Sequence, residues 1–479
     1  MIMTNTPEHI SYIQLNDGLD PHPIDAVLIE GKLISDFQEA GKIVQTISAS
    51  STHDEIPSAK CIYELVYGSY TPPVHDYSKD YLTIEANEDG LTASLSVNAC
   101  EYCVDGDGNW KTLSAGTATE SINSGHTLSF RGNLTPNSSR GIGTFKINKK
   151  CNLKGNCMSM LFGDNAADNY SLSGKNYAFY ELFYNCSNIV NVSSNFLPAT
   201  TLTDYCYQYM FYRCSRLATA PALPANTLVD SCYRYMFYGC TSLTTAPALP
   251  AIDLANYCYQ YMFYGCSSLT TAPALPATTL AKSCYYSMFQ GCTSLTTAPA
   301  LPATTLAESC YYAMFSDCKS LTTAPELRAT TLANYCYSSM FNGCTSLTTA
   351  PALPATTLAN YCYDGMFNGC TSLTTAPELP VTALAEGCYE SMFNGCTSLT
   401  TAPVLPATTL TGACYQWMFK GCTNLNYIKC LATRIPSSNS TSEWVNGVAA
   451  TGTFVKPSSM TSWTTGVNGI PTGWTVQDA

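Results

Sequence analysis

The chain repeats itself. The pattern Cys-Tyr-x-x-Met-Phe-x-x-Cys recurs with first cysteines at Cys206, Cys232, Cys258, Cys284, Cys310, Cys336, Cys362, Cys388 and Cys414, each 26 residues from the last. The second cysteines, from Cys214 to Cys422, keep the same step. A degenerate copy precedes them at Tyr177-Ala178-Phe179-Tyr180-Glu181-Leu182-Phe183-Tyr184-Asn185-Cys186, and another lies around Cys157 to Phe162. So short and regular a period excludes a single conventional globular core. Each copy is too small to bury its own apolar face, so neighbouring copies must stack into a solenoid with one continuous interior.

Within a copy, Leu254, Cys258, Met262 and Cys266 are spaced by four residues. That spacing predicts an apolar stripe along one side of a short helix, with Gly265 at its left-handed end. Ser268-Leu269-Thr270-Thr271-Ala272-Pro273 follows as a short extended run. Pro273 lacks the N–H needed to prolong a parallel ladder, so the run is expected to stop there. The predicted fold class is an α/β solenoid of leucine-rich-repeat-like coils of 26 residues, each a short helix plus a short parallel strand. Neighbouring coils are expected to lie about 4.8 Å apart on the strand side.

The residues Ala/Tyr-x-x-Met-Phe-x-Gly-Cys-x-Ser-Leu-Thr-x-x-x-x-Leu-Pro resemble the BspA-like leucine-rich repeats of bacterial surface proteins, which carry an Ala-Phe-x-x-Cys-x-x-Leu core. The resemblance runs from about Cys157 to Leu425. Here the coil is longer than that family's usual spacing, and Met-Phe replaces Ala-Phe. The ending Gly469-Ile470-Pro471-Thr472-Gly473-Trp474-Thr475-Val476 is similar to the closing segment of such proteins from gut bacteria and their phages. The resemblance implies adhesion to a host, matrix or cell-surface partner.

Outside the repeats the periodicity changes to two. Tyr81 to Ala86, Leu91 to Val97 and Thr127 to Gly132 alternate apolar and polar residues between turn signals, which predicts a small β-sandwich-like domain over 79–150 ahead of a solenoid over 151–426. Residues 1–50 read as a separate unit, with strands at Tyr12 to Leu15 and Ile24 to Gly31 and a short helix from Ser35 to Thr46, joined by a linker at 51–78. This first unit resembles the virion-anchoring ends of phage fibre proteins, which implies anchoring or oligomerisation. Residues 427–479, with Trp444, Trp463 and Trp474, are expected to cap the open end of the solenoid.

Only 12% of the residues are charged and the formal charge is −12. Such a balance disfavours nucleic-acid backbones, which need clustered Lys and Arg, and anionic membrane surfaces. No stretch reaches the roughly 18 apolar residues that span a bilayer. The opening residues, Met1 to Ile10, have neither a basic nor an apolar signal-peptide region, which is expected either where a leader has been removed or of a protein that reaches the outside without the secretion machinery.

Chemistry-bearing residues are sparse. The repeats contain no histidine and no C-x-x-C spacing, so neither zinc nor a Cys-His or Ser-His-Asp arrangement is expected there. In a helix, Cys258 and Cys266 would stand about 12 Å apart, beyond disulfide reach. The first cysteines, Cys206 through Cys414, therefore read as a structural ladder of buried thiols, each facing its equivalents. Cys100 and Cys103 have metal-like spacing, with Cys151 and Cys157 downstream, but alternation along a strand sends residues three apart to opposite faces. Asp105-Gly106-Asp107-Gly108-Asn109 has the look of a calcium loop, yet Gly116 stands where a bidentate Glu belongs, so a hairpin turn is the better account. Neither a cofactor nor an enzymatic activity is expected.

What differs between copies is a set of five positions, 204, 205, 208, 209 and 212 in the first regular copy, four of which form one exposed stripe if the segment is helical. Early copies fill it with Tyr205, Tyr209, Tyr212, Tyr235, Tyr238, Tyr257, Tyr261 and Tyr264, and the last copy has Trp417. These nine residues are the candidate ligand-binding set, since Tyr supplies rigid amphipathic area at low entropic cost. Stacking between coils, merely to cover them, is the competing account of the same tyrosines. Two functional expectations follow. One is a phage virion fibre or decoration protein on the virion surface, bound to other virion proteins through residues 1–50, probing a host-cell surface protein or glycan, and forming a homo-oligomer, with a trimer favoured. The other is a secreted bacterial cell-surface adhesin.

Overall fold

The computed structural model describes Leu28–Ile29, Lys32–Leu33, residues 80–436 and residues 439–479. The chain divides into Met1–Tyr77 and Ser78–Ala479. In the first unit, β1 (Leu28–Ile29) pairs antiparallel with β2 (Lys32–Leu33). These short strands fall in and just beyond the stretch expected to form the second strand. The expected strand at Tyr12 to Leu15, the helix at Ser35 to Thr46 and the linker at 51–78 lie outside the described residues.

The second unit begins with a mixed sheet. Its six strands run in the order β10 (Ile189–Val192), β9 (Cys151–Lys154), β3 (Leu82–Ala86), β7 (Thr127–Arg131), β5 (Cys100–Val104) and β6 (Lys111–Leu113). A separate antiparallel pair joins β4 (Ala93–Leu95) to β8 (Phe145–Ile147). Alternation explains β3: Leu82, Ile84 and Ala86 are buried while Thr83 and Glu85 are not. The sheet does not stop at residue 150. β9 pairs antiparallel with β3 and parallel with β10, so the sheet passes directly into the first coil. The core does the same. Phe130 meets Phe145 edge-on at 5.0 Å, Phe145 stacks on Phe183 at 5.5 Å, and Phe183 stacks on Phe211 at 5.5 Å.

The expected helix is absent from the coils. Among the described residues the α-helix assigned is the four-residue Ser159–Phe162, ahead of the regular repeats. Each Cys-Tyr-x-x-Met-Phe-x-x-Cys segment is instead a run of tandem β-turns. In the third copy Cys258, Gln260, Met262, Tyr264 and Cys266 donate their N–H groups three residues back, to Ala255, Tyr257, Tyr259, Tyr261 and Phe263. The residues between them donate across to the next coil. Tyr257, Tyr259, Tyr261, Phe263 and Gly265 bond the carbonyls of Lys282, Cys284, Tyr286, Met288 and Gln290 at 2.7–3.0 Å. An α-helix would spend all of these donors on itself, leaving none to join coils.

This arrangement demands a left-handed residue every fourth position. Tyr257 has φ 59°, Tyr261 has φ 56° and Gly265 has φ 68°. A left-handed conformation costs an L-residue roughly 1–2 kcal/mol, so the cross-coil bonds and the packing they permit must repay it. Gly265 is thus left-handed, as expected, but as the third such residue of the turn run and not as a helix end. The extended run is also thinner than a strand. It holds to its neighbours through single parallel bridges, Thr245 to Thr271, Thr271 to Thr297 and onward to Thr375.

Inside, each coil contributes one residue to each of several columns. Phe183, Phe211, Phe237 and Phe263 continue through Phe419 with centroid spacings of 5.5–5.8 Å. Tyr207, Tyr233 and Tyr259 begin a parallel column that ends on Tyr415. Trp444 closes both columns, 6.3 Å from Tyr415 and 6.2 Å from Phe419, and Trp463 stacks on its other side at 5.5 Å. The terminal segment keeps the coil pattern, with Phe419 and Gly421 donating to Trp444 and Asn446, and it ends in the parallel strands β11 (Tyr427–Lys429), β12 (Thr453–Lys456) and β13 (Thr475–Asp478).

The thiols take two roles. Cys206, Cys232, Cys258, Cys284, Cys310, Cys336, Cys362, Cys388 and Cys414 are buried and free. Cys258 is near enough to Cys232 and Cys284 to feel both, as a ladder requires. The second cysteines are tethers: the Cys266 thiol donates to the Phe237 carbonyl of the preceding coil at 3.1 Å, and the Cys292 thiol to Phe263 at 3.1 Å. Burial pushes the Cys266 thiol up to about 12, so it stays protonated and able to donate. With no helix present, the 12 Å separation once inferred for Cys258 and Cys266 does not apply; their burial in separate columns accounts for the free thiols.

The Phe column should dominate local stability. Phe263→Ala should destabilise the solenoid by about 3–5 kcal/mol in urea unfolding. Tyr264→Asn, which installs the residue found at Asn342 and Asn368 in later coils, should cost under about 1 kcal/mol. Equal costs would contradict the assignment of inner and outer columns.

Candidate functional site

The outward side of the turn run carries the tyrosines. Tyr205, Tyr209, Tyr212, Tyr235, Tyr238, Tyr257, Tyr261, Tyr264 and Trp417 are all half-buried. Six of them form two adjoining columns. Tyr209, Tyr235 and Tyr261 stack at 4.7 and 4.6 Å, and Tyr212, Tyr238 and Tyr264 at 4.7 and 4.5 Å. The columns touch edge to face, as between Tyr209 and Tyr212 at 5.6 Å. The other three are placed apart from this pair. Tyr205 stacks on Tyr177 at 4.7 Å, Tyr257 lies beside Arg234, and Trp417 is in the last regular coil next to Lys420.

The fold extends this surface with residues that the nine-residue set omits. Tyr184 heads the second column, 4.8 Å from Tyr212, and Tyr180 meets Tyr209 edge-on at 5.7 Å. Tyr286 and Tyr312, stacked at 4.4 Å, continue from Tyr261. The degenerate copy hides the first group, because Phe179 and Phe183 align with Tyr207 and Phe211 at an offset two residues longer than the regular period. The second group leaves its column by one position in sequence, at the place of Gln260.

Face-to-face stacking decides what a partner can touch. Within a column each ring covers the faces of its neighbours, so ring edges and phenol hydroxyls remain for contact. Two guanidinium groups join them. Arg213 lies 5.3 Å from the Tyr212 ring, and Arg234 lies 5.1 Å from Tyr235 and 5.7 Å from Tyr257. Such cation–aromatic contacts hold the charges at the surface of the patch. Tyr, Ser, Asn and Gly at these positions are residue types that suit adaptable contact surfaces.

One of the five variable positions differs in burial from coil to coil. Gln208 is 6% exposed, Gln260 is 7% exposed and Ser338 is fully buried. The same position holds the half-buried Arg234, Tyr286 and Tyr312, so in a run of turns it lies at the border between the inner columns and the outer face. In later coils that position holds Asp364 and Glu390, one coil apart. Burial pushes the Asp364 carboxyl up to about 6 despite the Ser338 hydroxyl, which donates to it at 3.1 Å. Burial, reinforced by the neighbouring Asp364 charge, pushes Glu390 up to about 7. Position 204 is also engaged: the Asp230 carboxylate accepts the Asn256 N–H and the Asn256 side chain accepts the Lys282 N–H.

The alternative sites of the N-terminal module resolve into structure. Cys100 faces the main core, whereas Cys103 is buried against the Gly106 and Gly108 backbone. Asp105, at φ 51°, opens the β5–β6 hairpin and accepts hydrogen bonds from the Thr127 N–H at 2.8 Å and from His126, whose Nδ1 lies 2.6 Å from its other oxygen. No group of three or more His, Cys, Asp or Glu residues able to hold a metal ion occurs among the described residues. No helix among them is long and apolar enough to cross a membrane.

The acid pair gives the solenoid a pH dependence of definite sign. Both carboxyls hold their protons more tightly folded than unfolded, so their contribution is fully present below about pH 4 and is lost as pH rises through 6 and 7. Glu390 is partly solvated and contributes the smaller share. Thermal unfolding of the wild type should show a midpoint that falls between pH 5 and pH 8 relative to the Asp364→Asn, Glu390→Gln double variant. Parallel profiles for the two proteins would refute the assignment.

Among curated proteins, none matches this chain. A family model described as the BspA type leucine-rich repeat region, in 6 copies, matches residues 173–296, 256–400 and 338–441. These overlapping matches span more than half of the chain and coincide with the turn-built coils. With its 26-residue period, buried columns and these matches, the chain belongs to the BspA-type leucine-rich-repeat family.

Proposed function

We propose that this chain is a non-enzymatic adhesion and recognition protein, whose contact surface is the tyrosine-covered side of the turn run in the first coils. One observation carries the reading. Inward columns repeat almost without change, whereas positions 209 and 212 vary from coil to coil and are tyrosine in the first three regular copies, beside Arg213 and Arg234. Selection for stacking alone would favour the same residue in every copy. The partner this surface suits is a cell-surface protein or glycan, held by phenol hydroxyls, ring edges and two guanidinium groups.

Two settings suit such a protein. The chain as a phage fibre or decoration protein is supported by its free, buried thiols, which accord with assembly in a reducing cytoplasm. In that setting residues 1–50 would hold it to other virion proteins, and a closed homotrimer follows from virion symmetry. A bacterial cell-surface adhesin is supported by the family itself, and its setting is extracellular.

Tyr209→Ser, Tyr235→Ser and Tyr261→Ser combined should reduce attachment to target cells at least tenfold while leaving the unfolding midpoint within a few degrees, because Ser287, Ser339 and Ser391 fill the same position in later coils. Undiminished attachment by the folded variant would refute the contact surface. Native mass measurement should give three times the chain mass of 51.7 kDa. A strict monomer at high concentration would remove the support for the fibre setting.

A further inference from the structure

Where the sheet module meets the first coil, the chain forms a groove of about 540 Å³. Its walls come from the Ser139 to Ile147 segment on one side and from Glu181 to Asn188 on the other. Arg140, Lys146, Glu181, Tyr184, Asn185 and Ser187 line it. The cations are available. Among the described residues neither Arg140 nor Lys146 makes an ion pair, and both are exposed.

Tyr184 distinguishes this groove from the rest of the tyrosine surface. It is the first ring of its column, stacked on Tyr212 at 4.8 Å with the planes 3° apart. Tyr212 and Tyr238, farther along, have a ring on each face. Tyr184 lines the groove, and no ring of its column stands on the side away from Tyr212, so the column can offer an aromatic face there. A free aromatic face suits the apolar face of a sugar ring. Glu181 and the Asn185 amide suit its hydroxyls, and a guanidinium fork suits a carboxylate.

We infer that the groove between the sheet module and the first coil binds a carboxylate-bearing sugar residue, with the ring against Tyr184 and the carboxylate toward Arg140 and Lys146. This rests on the chain being a recognition protein and assigns one ligand class to a site distinct from the stacked part of the tyrosine surface. Glu181 sits on the opposite side of the charge balance. Burial raises its carboxyl while a hydrogen bond from Tyr180 and then the Arg140 charge oppose that shift, so a polyol hydroxyl would add to the donors it already has.

The test uses the full chain and two small probes, methyl β-D-glucuronide and its neutral counterpart methyl β-D-glucoside, followed by saturation-transfer NMR. The glucuronide should bind with a Kd of about 1 mM, within reach of a ligand this small, and the glucoside at least tenfold more weakly. Arg140→Gln with Lys146→Gln should abolish that preference. Tyr184→Asn should weaken both probes; Asn342, Asn368 and Asn394 fill the equivalent place in later coils, so the variant should fold. The triple variant Tyr209→Ser, Tyr235→Ser, Tyr261→Ser should bind glucuronide as the wild type does, which separates failure here from failure of the larger contact surface. Equal binding of the two probes, wild-type affinity in the Arg140/Lys146 variant, or no transfer to either probe would each overturn the inference.

Discussion

The structure depends on where alternate backbone N–H groups go. In each turn run, every second donor closes a β-turn within the coil and every other donor crosses to the next coil, five crossings in the third copy. Those crossings fix the register of neighbouring coils, and the register aligns Phe with Phe, Tyr with Tyr and thiol with carbonyl. The cost is a left-handed residue at every fourth position, met by Gly at the third site of most coils and by Tyr, Ser, Ala, Gly or Trp at the first two. Outward chemistry is therefore partly bound up with backbone strain: two of the varying positions, 205 and 209, are held in an unusual conformation by the ladder itself.

From this follows the division of labour along the molecule. The inner columns run unbroken from Phe145 in the sheet module to Trp444 near the end, so the two flanking segments are continuous with the solenoid core and cover its ends. In the proposed function, recognition is left to side chains outside those columns. Stacking then limits how tyrosine can be used, because a ring inside a column has no free face. A ladder's interior offers hydroxyls and edges at a repeat near 4.7 Å, and its first ring offers a face. The groove beside Tyr184 and the patch around Arg213 and Arg234 are thus different surfaces, the first at the head of one column and the second across both.

Much of this was legible in the residues. The fixed period required stacked coils, and the invariant Leu, Cys, Met and Phe positions marked the interior. The helix was misread because four-residue spacing lies close to the helical period. Over Cys258, Met262 and Cys266 the spacing is strictly four, which on an α-helix drifts by about 40° per step; an undrifting interval was the available signal for turns. The same misreading put position 208 on the surface in every coil, whereas Gln208 and Ser338 are buried, Arg234 and Tyr286 are half-buried, and Asp364 and Glu390 are pressed toward protonation. Tyr184 and the groove were not legible, since they depend on how the sheet module abuts a coil of irregular length.

Scalar couplings across hydrogen bonds test the central claim most directly, since they report which carbonyl each amide nitrogen meets. The nitrogens of Tyr259, Tyr261, Phe263 and Gly265 should couple to the carbonyl carbons of Cys284, Tyr286, Met288 and Gln290, one coil onward. Couplings instead to carbonyls four residues earlier in the same coil would mean that the segments are helices, and would contradict the account.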